Sequence, residues 1–117
     1  MKNLLTGLNE SIGIRGSLVI TRDGVVVAAC MGEDLDRETL AALTSSVLVA
    51  LKGAGPSLEL GEISRFTLSA KHGRLIFEIT EALVLVVITD KDIDLDITLL
   101  EIAGLAKRLQ RMVKITV

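Results

Sequence analysis

The sequence predicts a single α/β sandwich domain built on an antiparallel sheet. Three observations predict it. Helical and extended periodicities follow one another as helix, two strands, helix, three strands, helix. The strands within each pair are joined by hairpin-length loops, which force antiparallel pairing. One apolar run, Ala82–Ile88, is too continuous for a half-exposed strand and fits one covered on both faces by helices. At 117 residues the chain is near the commonest size of one domain, so the reading is one domain over 1–117.

Residues 2–12 open the chain as a short amphipathic helix. Leu4, Leu5, Leu8 and Ile12 share one side, with Asn3, Thr6, Asn9 and Glu10 opposite. Gly13 suits the left-handed end of that helix, and Gly16 releases the chain into an extended run. Ser17–Thr21 and Val25–Cys30 are β-rich and separated by Arg22-Asp23-Gly24, where Asp-Gly supplies the positive φ angles of a tight hairpin. Asp36 is the N-cap of a second helix to Lys52, with Leu40, Leu43, Val47, Leu48 and Leu51 on its core stripe; Gly53, Gly55 and Pro56 end it.

A second stripe on that helix, Ala42, Ser46, Val49 and Gly53 with Ala41 and Ser45 beside it, is small and weakly polar. It fits close packing of another helix, and it fits equally over a sheet; periodicity leaves both open. After a linker, Ser57–Glu62, come strands Ser64–Ala70 and Arg74–Thr80, separated by Lys71-His72-Gly73 with glycine at the turn. Their alternation reads as peripheral and half-exposed. The apolar strand Ala82–Thr89 belongs in the middle of the sheet. The last helix, Asp94 to about Met112, buries Leu99, Ile102, Ala103, Ala106, Leu109 and Val113. Its acids lie at the start and Lys107, Arg108, Arg111 and Lys114 near the end, as the helix dipole favours.

Composition removes several function classes. Half the residues are apolar, with ten glycines besides, more than one small core absorbs, so some apolar surface is expected to be covered by a second copy or a partner. The seven residues of Ala82–Ile88 are far short of the roughly 20 that a membrane-spanning helix needs. The first residues contain no signal-peptide core, and a cytoplasmic location is expected. A net charge of −2, no Trp or Tyr and only two Phe leave neither the basic footprint nor the stacking platforms of a nucleic-acid binder.

No catalytic, cofactor-binding or metal-ligating residue is expected. The acids Asp90, Asp92, Asp94, Asp96 and Glu101 mimic the spacing of a calcium loop. Leu95 stands where that loop needs glycine, however, and a strand precedes it where a helix is required. Asp94 or Asp96 is better read as a helix cap. His72 falls in a turn without a nucleophile or second His nearby, and Cys30 fits a small buried residue. Gly53-Ala-Gly55-Pro-Ser lacks the Lys and strand-to-helix setting of a phosphate loop.

The hairpin Gly16–Ala29, with its Gly-x-x-Val-x-x-x-Asp-Gly signature from Gly16 to Gly24, carries a family resemblance. So do the flanking amphipathic helix, the small-residue helix Asp36–Ala54, the apolar strand before Thr89-Asp90 and the last helix. The chain resembles the roadblock family, which includes dynein light chains of that name and bacterial regulators of Ras-like GTPases. The resemblance implies a profilin-like sheet in the order 2-1-5-4-3, with the central helix on one face and the terminal helices on the other. It also implies a homodimer in which third strands pair across a two-fold axis and central helices pack together.

Each feature has a local motive here. The third strand would otherwise be an unpaired edge, and the small stripe would face its twin. The expected dimer residues are Ala42, Ser46, Val49, Gly53, Arg65, Phe66, Thr67, Leu68 and Ser69. The expected partner is a small Ras-like GTPase, contacted near Arg37, Glu38, Ala41 and Ser45. An activating protein that inserts an arginine gains about 10³ to 10⁵ in rate, but nothing singles out Arg22, Arg37 or Arg65 for that task. A structural adaptor joining larger proteins is the competing reading. A small-ligand sensor ranks below it, because an aliphatic pocket offers few polar groups for specificity.

Overall fold

Alternating side chains divide this chain's core into two layers, one on each side of a single sheet. A computed structural model describes residues 1–116, with side chains as far as Val113, so the side chain of Lys114 lies outside the described residues. The elements are α1 (Lys2–Asn9), β1 (Ile14–Thr21), β2 (Val26–Met31), α2 (Arg37–Ser57), β3 (Arg65–Ala70), β4 (Gly73–Ile79), β5 (Leu83–Thr89) and α3 (Leu95–Thr116). The strands form one sheet in the order β2-β1-β5-β4-β3, and every neighbouring pair is antiparallel.

On one face Val19, Ile76, Leu85 and Val87 meet Leu5 and Leu8 of α1 and Ile102, Leu105 and Leu109 of α3. On the other Leu18, Ile20, Phe77, Val84, Val86 and Ile88 lie under Leu40, Leu43, Val47 and Leu48 of α2. Every residue of β5 is buried, which is why its sequence has no polar phase.

The first helix is shorter than its periodicity. It stops at Asn9, the next turns tighten through Glu10 N–H to Gly7 and Ser11 N–H to Leu8, and Gly13 takes a φ of +88°. Ile12 therefore leaves the helical stripe and stands 97% exposed. Asn9, on the polar side of the helix, is half-buried and turned to the sheet. Its Nδ2 donates to the Cys30 carbonyl at 2.7 Å and its Oδ1 accepts from Ser17 Oγ at 2.7 Å. Ser17 is fully buried, so this one amide ties α1 to both strands of the first hairpin.

Gly16 lies within β1, not before it. A Cβ there would meet Leu35 Cδ1 at 3.2 Å and Met31 Cγ at 3.3 Å, so its bareness makes room for packing. The first hairpin closes through a three-residue loop. Thr21 N–H bonds Val25 O at 2.8 Å, and only Gly24 has a positive φ, +94°; Asp23 does not share it. The second hairpin is tighter than expected. Ala70 pairs with Gly73, so Gly73 opens β4 and the loop is Lys71-His72 alone.

Pro56 does not end α2 but sits in its last turn. A proline there forfeits one N–H and crowds one carbonyl, a cost confined to the helix end. The final carbonyls find partners beyond it: Leu58 N–H bonds Ala54 O, Glu59 N–H bonds Pro56 O, and Leu60 N–H bonds Gly55 O. Glu59, at φ 58°, reverses the chain. Nor is β4 peripheral. Ile76 and Phe77 are buried between β5 and β3, and the polar phase is completed by Glu78, buried with Arg65 against it. At the last helix Asp94 is the cap, its Oδ1 accepting from Ile97 N–H at 3.2 Å. Helical backbone there continues past Met112 to Thr116.

Candidate interaction surface

The orientation of α2 is set at its first turn. Asp36 Oδ1 accepts from the N–H groups of Glu38 and Thr39 at 3.0 and 3.2 Å, and Oδ2 from Thr39 Oγ1 at 2.9 Å. The Thr39 hydroxyl foremost, then these N–H groups, hold the Asp36 carboxyl below the usual carboxylate range. With the helix so anchored, Leu40 and Thr44 turn into the sheet. Ala42, Ser46, Val49 and Gly53 point away from it, with Val49 77% exposed. This decides the question that periodicity left open: the small stripe does not lie over the sheet.

Ala41 and Ser45 differ from that stripe. Both are half-buried, Ala41 packs on the α2-side core, and Ser45 Oγ occupies the space beside Gly24. An arginine at either position would push into the β1–β2 turn, so such a variant would not spare the fold. Arg37 and Glu38, a turn earlier, are exposed. The sequence-predicted contact residues therefore share one edge of α2, two of them on the surface and two beneath it.

The sheet's β3 border pairs with β4 alone; among the described residues no strand covers its other side. Phe66 and Leu68 face the α2 side, and Phe66 tilts on Phe77 with ring centroids 6.1 Å apart. Thr67 and Ser69 face the other side and are exposed. Arg65, also on that side, grips Glu78 with two of its three guanidinium nitrogens, Nε to Oε1 at 2.9 Å and Nη2 to Oε2 at 2.7 Å. Donating to the Glu78 carboxylate raises the pKa of the Arg65 guanidinium from its ordinary value. This pair fixes the outermost strand without using its free backbone edge.

Two side chains that sequence reasoning passed over join this side of the molecule. Leu58 and Leu60 lie in the connection from α2 to β3, and both are about two thirds exposed. Their signal was a Leu-Glu-Leu run inside the segment read as a linker.

Groups with reactive potential lie elsewhere, and His72 is exposed in the turn between β3 and β4. The carbonyl of His72 accepts from Arg15 Nη2 at 2.7 Å, while Arg15 Nε donates to Asp90 Oδ1 at 2.7 Å. Cys30 is half-buried with its sulfur 3.7 Å from Thr6 Oγ1. Among the described residues no three or more His, Cys, Asp or Glu converge as a metal site, and no helix is long and apolar enough to cross a membrane. What the α2–β3 side offers is exposed apolar area and an open strand edge, the means of associating with another protein.

Comparison with known proteins agrees with this architecture. The family model described as Roadblock/LC7 domain matches residues 1–89. The uncharacterized protein MJ1340 of Methanocaldococcus jannaschii is 26% identical over 109 residues, covering 93% of this chain and 96% of its own length. Myxococcus xanthus MglB superposes with a TM-score of 0.90 at 19% identity, over 97% of this chain and 94% of that one. Acanthamoeba castellanii profilin II gives 0.65 at 16% identity, over 92% and 90%, which marks the fold as profilin-like.

Proposed function

From the premise that this chain belongs to the Roadblock/LC7 family, we propose that it is a homodimeric protein-interaction module that binds and regulates a small Ras-like GTPase, with no active site of its own. The observation that carries this reading is an outward stripe of small residues on α2 together with an unpaired β3 edge. Residues Ala42, Ser46, Val49 and Gly53 would let a second α2 approach closely. Arg65–Ser69 would pair with their own copy antiparallel, giving a ten-stranded sheet across a two-fold axis. The self-pairing is isologous, so it closes at two chains.

In the dimer two copies of Arg37 and Glu38 would flank a shared surface for the GTPase, with Ala41 and Ser45 supporting it from below. Regulation would act by ordering the partner's own residues or by supplying an arginine to its transition state.

The test combines mass and turnover. The wild-type protein should run at twice 12.5 kDa, and Leu68→Asp, at an exposed edge position, should run at the single-chain mass with its circular dichroism unchanged. Single-turnover GTP hydrolysis by Ras-like GTPases of the same genome is then followed with and without the protein. Saturable acceleration lost in Arg37→Glu supports regulation. Binding without acceleration favours a structural adaptor, and a wild-type monomer defeats the reading.

A further inference from the structure

Away from the α2–β3 side, α1 and α3 lie next to each other on the opposite face of the sheet, and a groove of about 570 Å³ runs between them. Its walls include Leu4 and Leu8 from α1 and Leu100 and Leu105 from α3. Leu100 is 74% exposed, and Ile97, one turn earlier on the same ridge, is 55% exposed. A solvated helix face places polar residues at such positions.

Gly7 and Gly104 also line the groove, one from each helix, and a Cβ added to either would meet nothing within 4 Å. Glycine is among the poorest residues for a helix interior, and neither is required by packing inside this chain. Both bare the groove where another backbone would approach.

Charge indicates what lies there. Lys107, Arg108 and Arg111 line one end, and among the described residues none of them forms an ion pair. The one acid in the lining, Glu101, is at the other end, where its Oε2 accepts from Ser11 Oγ at 2.6 Å. The groove is thus basic on a chain whose net charge is −2. Attraction favours an acidic occupant, and a second basic groove of the same chain would be repelled.

The walls are helices whose backbone groups are satisfied internally, so an extended peptide would find no strand edge to pair with. The run from Ile97 to Arg111 is about 21 Å long at 1.5 Å per residue, the length of a helix of about 14 residues.

We propose that this groove seats an amphipathic helix of a partner protein, its apolar stripe on Leu4, Leu100 and the two glycines and its acidic end over Arg108 and Arg111. The site does not depend on the GTPase reading, and a dimer would present it twice.

The probe is a fluorescein-labelled synthetic helix of about 14 residues, with a Leu/Ala stripe and glutamates clustered at one end; its control replaces the glutamates by lysines. Binding is followed by anisotropy for the wild type, Gly104→Leu, and Arg108→Glu/Arg111→Glu. Gly104→Leu fills the groove with a better helix former, so its Tm should match or exceed the wild type. The glutamate probe should bind saturably and about tenfold or more tighter than the lysine probe, and each variant should weaken it by about tenfold or more.

Equal affinity for both probes, no saturable binding of the glutamate probe, or undiminished binding to Gly104→Leu would overturn the proposal. A lower Tm for Gly104→Leu would show the groove closed by the chain itself and would also overturn it. Association with phosphatidylglycerol-containing vesicles in place of the peptide would assign the surface to lipid instead. Leu68→Asp separates this site from the α2–β3 surface, because peptide binding should survive it.

Discussion

Asn9 holds the first helix to the sheet, and a double-mutant cycle with Ser17 measures how firmly. Asn9→Ala removes two hydrogen bonds of 2.7 Å, one to the Cys30 carbonyl and one from Ser17 Oγ. At a net value near 1 kcal/mol each, the bonds alone account for about 2 kcal/mol. The variant also leaves the fully buried Ser17 hydroxyl without the acceptor it uses, a desolvation penalty of about 1 to 3 kcal/mol that partly overlaps with the lost bond. The expected loss is therefore about 2 to 4 kcal/mol, a large part of the 5 to 15 kcal/mol typical of a domain.

Ser17→Ala removes one bond and its own buried hydroxyl together, and should cost only about 1 kcal/mol. In the double variant no hydroxyl is left stranded, so its loss should fall short of the sum of the singles by about 1 kcal/mol. Urea unfolding at pH 7, with equal m-values as the check on two-state behaviour, gives all three numbers. A loss below about 0.5 kcal/mol for Asn9→Ala, or additivity within about 0.3 to 0.5 kcal/mol, would refute the account.

Asp36→Ala should destabilise at neutral pH, and the sign of its pH dependence follows from the lowered carboxyl pKa. A depressed folded pKa contributes stability above the unfolded value near 4 and loses it as the pH falls through the folded one, so wild type and variant should converge in acid; thermal melts between pH 7 and pH 3 read this. Gly55→Ala should cost about 1 to 3 kcal/mol, since the new Cβ would overlap the Gly61 carbonyl. Gly7→Ala, where a Cβ meets nothing within 4 Å, should instead gain about 0.5 to 1 kcal/mol from helix propensity. Both are measured by chemical unfolding.

How legible each element was depended on whether its partners were local. β5 could be placed from its own residues, because burial on both faces removes every polar phase, and the Asp36 and Asp94 caps bond to residues within three positions. Other features are fixed by distant groups. Ile12 continued the spacing of α1, but the tightening after Asn9 turned it outward. Asn9 read only as one of the polar side of α1, because its partners are a serine and a main-chain carbonyl of two other strands. β4 read as peripheral because Glu78 marks an exposed phase until Arg65, from the neighbouring strand, is placed against it. Pro56 read as a stop because its cost is usually prohibitive inside a helix, and only Glu59 and Gly55 show how the last turn is completed.

The interaction surface was legible in the same partial way. A stripe of small residues shows that something approaches, while only the placement of Leu40 and Thr44 in the core shows that the sheet is not that something. Leu58 and Leu60 carried no periodicity at all, being two residues apart in a turn.

The two surfaces differ in what a substitution can isolate. β1, β4 and β5 supply side chains to both core layers at once, so a change such as Val86→Ala loosens the seat of α2 and, through the shared backbone ladder, the strands that α1 and α3 rest on. Loss of function after such a change would not identify a surface. Leu68, Arg37 and Gly104 are exposed, and each lies on one side of the sheet's architecture only. Substitutions there separate association through the β3 edge, contact through the start of α2, and docking between α1 and α3, provided that each variant keeps the melting behaviour of the parent chain.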